Sequence, residues 1–91
     1  MNDFNLGETV ICLIEVKDGS GAFVDPATSM TVTIWDPGNA KVIDVQAMVK
    51  DSIGKYHYDY TPTIKTGTYI IKYIAIDSSR ISIQKDNFTV V

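Results

Sequence analysis

Between residues 29 and 36 the chain reads Ser29-Met30-Thr31-Val32-Thr33-Ile34-Trp35-Asp36, with Met30, Val32 and Ile34 alternating against Thr31, Thr33 and Trp35. A period of two puts one set of side chains on each face of a strand, the half-buried pattern of an antiparallel sheet. Asp36-Pro37-Gly38-Asn39 follows and predicts a type II-like turn, with Pro at its second position and Gly next. Lys41–Val49 alternates again, Ile43, Val45, Ala47 and Val49 against Val42, Asp44, Gln46 and Met48. The two strands are placed to pair through that turn as a hairpin.

Working outward, Glu8–Lys17 reads as the first strand, with Val10, Cys12, Ile14 and Val16 on one face and Ile11 and Leu13 on the other. Asp18-Gly19-Ser20-Gly21 is a turn, and Asp25-Pro26 fixes an extended or turn geometry. On the C-terminal side, Lys55–Thr61 sets Tyr56, Tyr58 and Tyr60 opposite Lys55, His57 and Asp59. Gly67–Ile76 sets Tyr69, Ile71, Tyr73 and Ala75 opposite Ile70, Lys72, Ile74 and Ile76. Asp77-Ser78-Ser79 turns into Ile81–Ile83, and Lys85-Asp86-Asn87 predicts a bulge or sheet switch before Phe88-Thr89-Val90. No apolar period of 3.6 residues is sustained anywhere. Six to seven short strands in 91 residues, rich in Val, Ile, Tyr and Thr with only Leu6 and Leu13, predict a single all-β domain over residues 1–91.

Composition narrows the function classes. Hydrophobic residues at 45% and charged residues at 21% describe an ordinary folded chain rather than a disordered one. The net charge of −3 is spread out, with no basic cluster, so nucleic acid is not expected as a partner. No apolar run reaches the ~20 residues of a membrane helix. The start Met1-Asn2-Asp3-Phe4 lacks the regions of a secretory signal, which predicts cytoplasmic synthesis. One cysteine, Cys12, leaves no internal disulfide.

Asp18-Gly19-Ser20-Gly21, Val24-Asp25-Pro26, Val32-Thr33-Ile34, Asp36-Pro37-Gly38, Gly54-Lys55-Tyr56-His57-Tyr58 and Gly67-Thr68-Tyr69 occur in a familiar order. In this the chain resembles macroglobulin-type and bacterial immunoglobulin-like domains, and small β-sandwich virion proteins of tailed phages. The resemblance implies an antiparallel immunoglobulin-like β-sandwich, here without the intersheet disulfide. It also implies that Tyr69 stands as a tyrosine corner, bonding backbone near the preceding turn, with Ile71 where antibody domains carry a cysteine. Trp35 lies out of phase with Met30, Val32 and Ile34, unlike the buried immunoglobulin tryptophan.

Candidate chemistry is thin. His57 and Asp59 share a strand face but lack a nucleophile in a recognised motif. Cys12 sits among apolar residues, where a thiol packs as a small hydrophobe. The acids Asp18, Asp25, Asp36, Asp51, Asp77 and Asp86 are scattered singly at turns, without the convergent oxygens that calcium requires. No catalytic, cofactor or metal residues are assigned, and the chain is read as a non-enzyme. Tyr56, Tyr58 and Tyr60 have the ~7 Å repeat of a sugar-stacking platform, yet their strand has no other apolar face, which favours the core. The surplus is apolar: Ile11, Leu13, Trp35, Ile70, Ile74 and Ile76 are left facing outward once the core faces are assigned. They predict an interface with protein subunits, self or other. The resulting expectation is a non-catalytic structural or interaction module, a spacer or docking unit of a virion or surface assembly. A glycan-binding sandwich is the alternative.

Overall fold

The computed structural model describes residues 3–26 and 28–91, and the described residues contain strands and no helix. The strands are β1 (Asp3–Phe4), β2 (Val10–Glu15), β3 (Ser29–Trp35), β4 (Lys41–Ala47), β5 (Val49–Ser52), β6 (Lys55–Tyr60), β7 (Gly67–Asp77) and β8 (Arg80–Val90). They form a five-stranded sheet in the order β1-β8-β7-β3-β4 and a three-stranded sheet in the order β2-β6-β5. Every pairing is antiparallel except β1 with β8. The two sheets pack face to face as a sandwich without a disulfide, Cys12 being free and buried.

Alternation sorts the core as the sequence predicts. Val32 and Ile34 on β3, Val10 and Cys12 on β2, Ile71 on β7 and Phe88 on β8 are fully buried between the sheets. Tyr69 and Tyr73 join them from β7, and Tyr56 from β6. Burying each large side chain contributes roughly 1.5–3 kcal/mol, and this apolar layer is what holds the sheets together. Tyr69 donates a hydrogen bond to the Lys65 carbonyl at 2.7 Å, the backbone contact implied for a tyrosine corner.

Four local expectations are corrected. Residues 41–49 are not one strand: β4 ends at Ala47, Met48 is buried with its N–H donated to the Met30 carbonyl at 3.0 Å, and Val49 opens β5 in the other sheet. Within β4, Val45 takes a φ of 48° and donates its N–H to the Thr33 hydroxyl at 3.3 Å, so the strand bulges and Val45 turns outward. The turn at Asp36 carries its positive φ on Asn39 (68°) rather than Gly38, a three-residue loop of a type I turn followed by a left-handed residue. Lys85-Asp86-Asn87 is neither bulge nor switch, because β8 pairs with β7 without a break in register from Arg80 to Val90. The short β1 leaves no mark in the sequence, since two residues carry no period.

Candidate functional site

The outward apolar residues do not form one face. Ile11 and Leu13 stand on the outside of the three-stranded sheet, opposite Asp59 and His57, with Val49 beyond His57. Trp35, Ile70, Ile74 and Ile76 stand on the outside of the five-stranded sheet, the far side of the sandwich. The register there adds two residues the sequence reading left out, Ile81 opposite Ile76 and Ile83 opposite Ile74. The two-residue turn Ser78-Ser79 sets that register, and counting outward from it would have found them. Trp35 is half-buried and carries the Lys72 ammonium 5.4 Å from its ring centroid.

The titratable residues serve structure. His57 Nδ1 lies 2.7 Å from Asp51 rather than beside Asp59. The Asp18 carboxylate closes its own loop, accepting from the Ser20 N–H and hydroxyl and the Ala22 N–H. Asp25 ties the Val24–Pro26 segment to the β5–β6 hairpin, accepting from Lys50 Nζ at 2.6 Å, Gly54 N–H at 2.8 Å and the Tyr56 hydroxyl at 3.0 Å. Asp36 accepts from Ala40 N–H at 2.9 Å and faces Lys65 Nζ at 3.4 Å. Among the described residues no three of His, Cys, Asp and Glu converge as metal ligands.

These contacts hold Asp25, Asp18 and Asp36 below the ordinary carboxylate range, through the Lys50 ammonium, the Ser20 hydroxyl and the Ala40 N–H first in each case. A carboxyl with a depressed folded pKa contributes stability that is complete above its unfolded value and is lost as pH falls through the folded one. The thermal midpoint is therefore expected to hold steady from about pH 7 to about pH 4 and to fall below that. Melts of Asp25→Asn beside the parent chain check this. The difference between the two midpoints should shrink as the pH drops, and a constant difference would contradict the assignment.

A recess opens between the sheets, on the side where β2 and β8 are the facing edge strands. A cleft of about 160 Å³ is lined by Ile14, Val16, Met30, Tyr73 and Ala75 with the charged Glu15 and Lys17 and with Ser82, Ile83 and Gln84. It shares Ile14, Glu15, Lys17 and Gln84 with a wider recess of about 610 Å³ whose charged rim adds Asp51 and Lys55. Among the described residues the buried Tyr73 hydroxyl makes no well-formed hydrogen bond. Its polar neighbour is the Cys12 thiol, a weak acceptor at best, and burial pushes that thiol up to about 12 and the tyrosine upward as well. The thiol is thus held protonated and is no nucleophile.

The fold and this site define the class: an all-β, two-sheet sandwich with an open seam. Among solved structures the chain is similar to CopC from Methylosinus trichosporium OB3b, at 23% identity and a TM-score of 0.62, over 98% of this chain and 81% of that one. No family model matches the chain, and no curated protein matches it. The likeness supports the β-sandwich and corrects the expectation of a virion or surface-assembly spacer, because it runs to CopC and not to macroglobulin-type domains or phage structural proteins. The glycan alternative loses its platform for a geometric reason. Tyr56 is buried, and Tyr58 and Tyr60 are partly buried against the core.

Proposed function

We propose that the chain is a non-enzymatic binding sandwich that takes a small ligand, apolar in body and carrying a hydrogen-bond acceptor, in the seam between β2 and β8. The Tyr73 hydroxyl is the observation behind this reading. A buried donor without a partner costs about 1–3 kcal/mol, and a native fold keeps such a group where something else satisfies it. The cleft around Tyr73 is near the size of cavities that accept a benzene ring, roughly 150 Å³. Its walls are mixed: Ile14, Val16, Met30 and Ala75 supply apolar surface, and Glu15 and Lys17 on the β2 side and Ser82 and Gln84 on the β8 side supply polar groups. In this reading Cys12 and His57 serve packing: the Cys12 thiol is buried and held protonated, and the His57 ring is held by Asp51.

Benzamide, a ring bearing a carbonyl acceptor, is the probe. In an amide-resolved titration it is expected to move the signals of Ile14, Tyr73 and Gln84, and Tyr73→Phe is expected to weaken binding roughly fivefold to tenfold. Shifts scattered elsewhere, or equal binding by the variant, would sink the reading. Without ligand, Tyr73→Phe is expected to be more stable by about 1 kcal/mol, a rise of about 4–8 °C in the melting midpoint for a chain of this length.

A further inference from the structure

We infer that the protein pairs with a second copy of itself along the open edge of β8, antiparallel and centred on Ile83. The inference is argued from that edge and not from the cleft, although Ser82, Ile83 and Gln84 belong to both.

Among the described residues β1 covers β8 only at Thr89 and Val90, so residues 80–87 have β7 on one side and no described strand on the other. Such an edge presents a row of unpaired N–H and C=O groups, which folded proteins usually blunt with a bulge, a proline or a very short strand. Two of the other edges are blunted, β4 by its bulge at Val45 and β5 by its four-residue length and register shift, and the open edge of β2 is about half as long, at six residues. β8 runs eleven residues in unbroken register with neither bulge nor proline.

The direction of the free groups follows from the hairpin. Asp77 and Arg80 close the two-residue turn, where Ser78 takes a φ of 58°. From that pair, ladder bonding alternates, which directs the N–H and C=O of Ile81, Ile83 and Lys85 away from β7.

Those three residues choose the partner. With Ile83 opposite the partner's Ile83, the backbone of Ile81 meets that of the partner's Lys85, and every outward group finds its complement. On the other face, Arg80 comes opposite the partner's Asp86, and Ser82 opposite the partner's Gln84. Neither Arg80 nor Asp86 forms an ion pair among the described residues. Because the contact is two-fold, each charge pairing occurs twice. Sliding the register by two residues sets Arg80 opposite the partner's Gln84 or the partner's Phe88, and both charge matches are lost. Ile81 and Ile83, 64% and 58% exposed, gain cover in the centred arrangement.

Light scattering on the full chain across a concentration series tests this. The parent is expected to reach twice 10.1 kDa, and Ile83→Pro, which removes an N–H that the hairpin itself does not use, is expected to stay at 10.1 kDa while keeping its strand circular dichroism. Arg80→Asp and Asp86→Arg are each expected to weaken association roughly tenfold, and the double swap to restore it. A parent that stays at one chain's mass overturns the pairing. So does a dimer untouched by Ile83→Pro, or a double swap that does not rescue. Benzamide shifts are read on Arg80→Asp as well as on the parent: shifts on the variant alone mean that pairing covers the cleft, and shifts on neither count against the cleft reading and leave the mass measurement to decide the pairing.

Discussion

A Phe88→Ala chain is expected to lose about 3–5 kcal/mol of stability, the cost of emptying a buried phenylalanine site. Phe88 has no exposed surface. Its ring stacks on Tyr69 with centroids 5.0 Å apart and an interplanar angle of 6°. It also meets Phe4 edge-on at 6.0 Å. The stack joins β7, β8 and β1, so its loss loosens the docking of β1 as well as the core. A chain of this length has roughly 5–14 kcal/mol in total, and no disulfide limits its unfolded state. A fall in melting midpoint of about 12 °C or more is therefore expected in thermal circular dichroism. A fall of a degree or two would mean that the stack is not the centre of the core.

Gly54→Ala is expected to be nearly as damaging, at about 3 kcal/mol, for a different reason. Gly54 lies at a φ of +72°, which costs an L-residue energy before any contact is made. The new methyl would then sit 2.6 Å from the Val16 carbonyl oxygen, 2.9 Å from Phe23 Cβ and 3.0 Å from the Val24 nitrogen. Two of those neighbours are backbone and cannot swing aside. Relief would require opening the Val16 N–H to Gly54 carbonyl bond at 2.7 Å and the Gly54 N–H bond to Asp25. Urea denaturation of Gly54→Ala against Ile53→Ala separates the two causes. Ile53 is 61% exposed in the same turn, and its truncation should change the midpoint little. Equal losses in the two variants would count against the close packing at Gly54.

Alternation carried most of the fold into the open. Met30, Val32 and Ile34 against Thr31, Thr33 and Trp35 fix which face of β3 is buried, and the same count orders β2, β6 and β7. The paired Gly54-Lys55-Tyr56 and Gly67-Thr68-Tyr69 segments are also legible, each a glycine of positive φ two residues before a buried tyrosine. Where reading failed, two states had the same local pattern. Residues 41–49 alternate throughout, and nothing local says that Met48 drops into the core and sends Val49 to the other sheet. Lys85-Asp86-Asn87 looks like a break because it is polar on both faces. The strand continues there because β7 supplies hydrogen bonds along its whole length, whatever the side chains.

The same division governs the site. The sequence by itself determined an all-β chain without a disulfide, the buried faces of β2, β3, β6 and β7, the core placement of Cys12 and most of the tyrosines, and an excess of outward isoleucines. Period two assigns residues to faces, and faces are a local property of the backbone. Only the tertiary structure decided that Leu13 and Ile74 lie on opposite sides of the sandwich. It alone left the Tyr73 hydroxyl unpartnered at the β2–β8 seam and β8 with an open edge. Those facts depend on which strands become neighbours, and strand order is set by contacts between residues far apart in the chain, which no local pattern encodes.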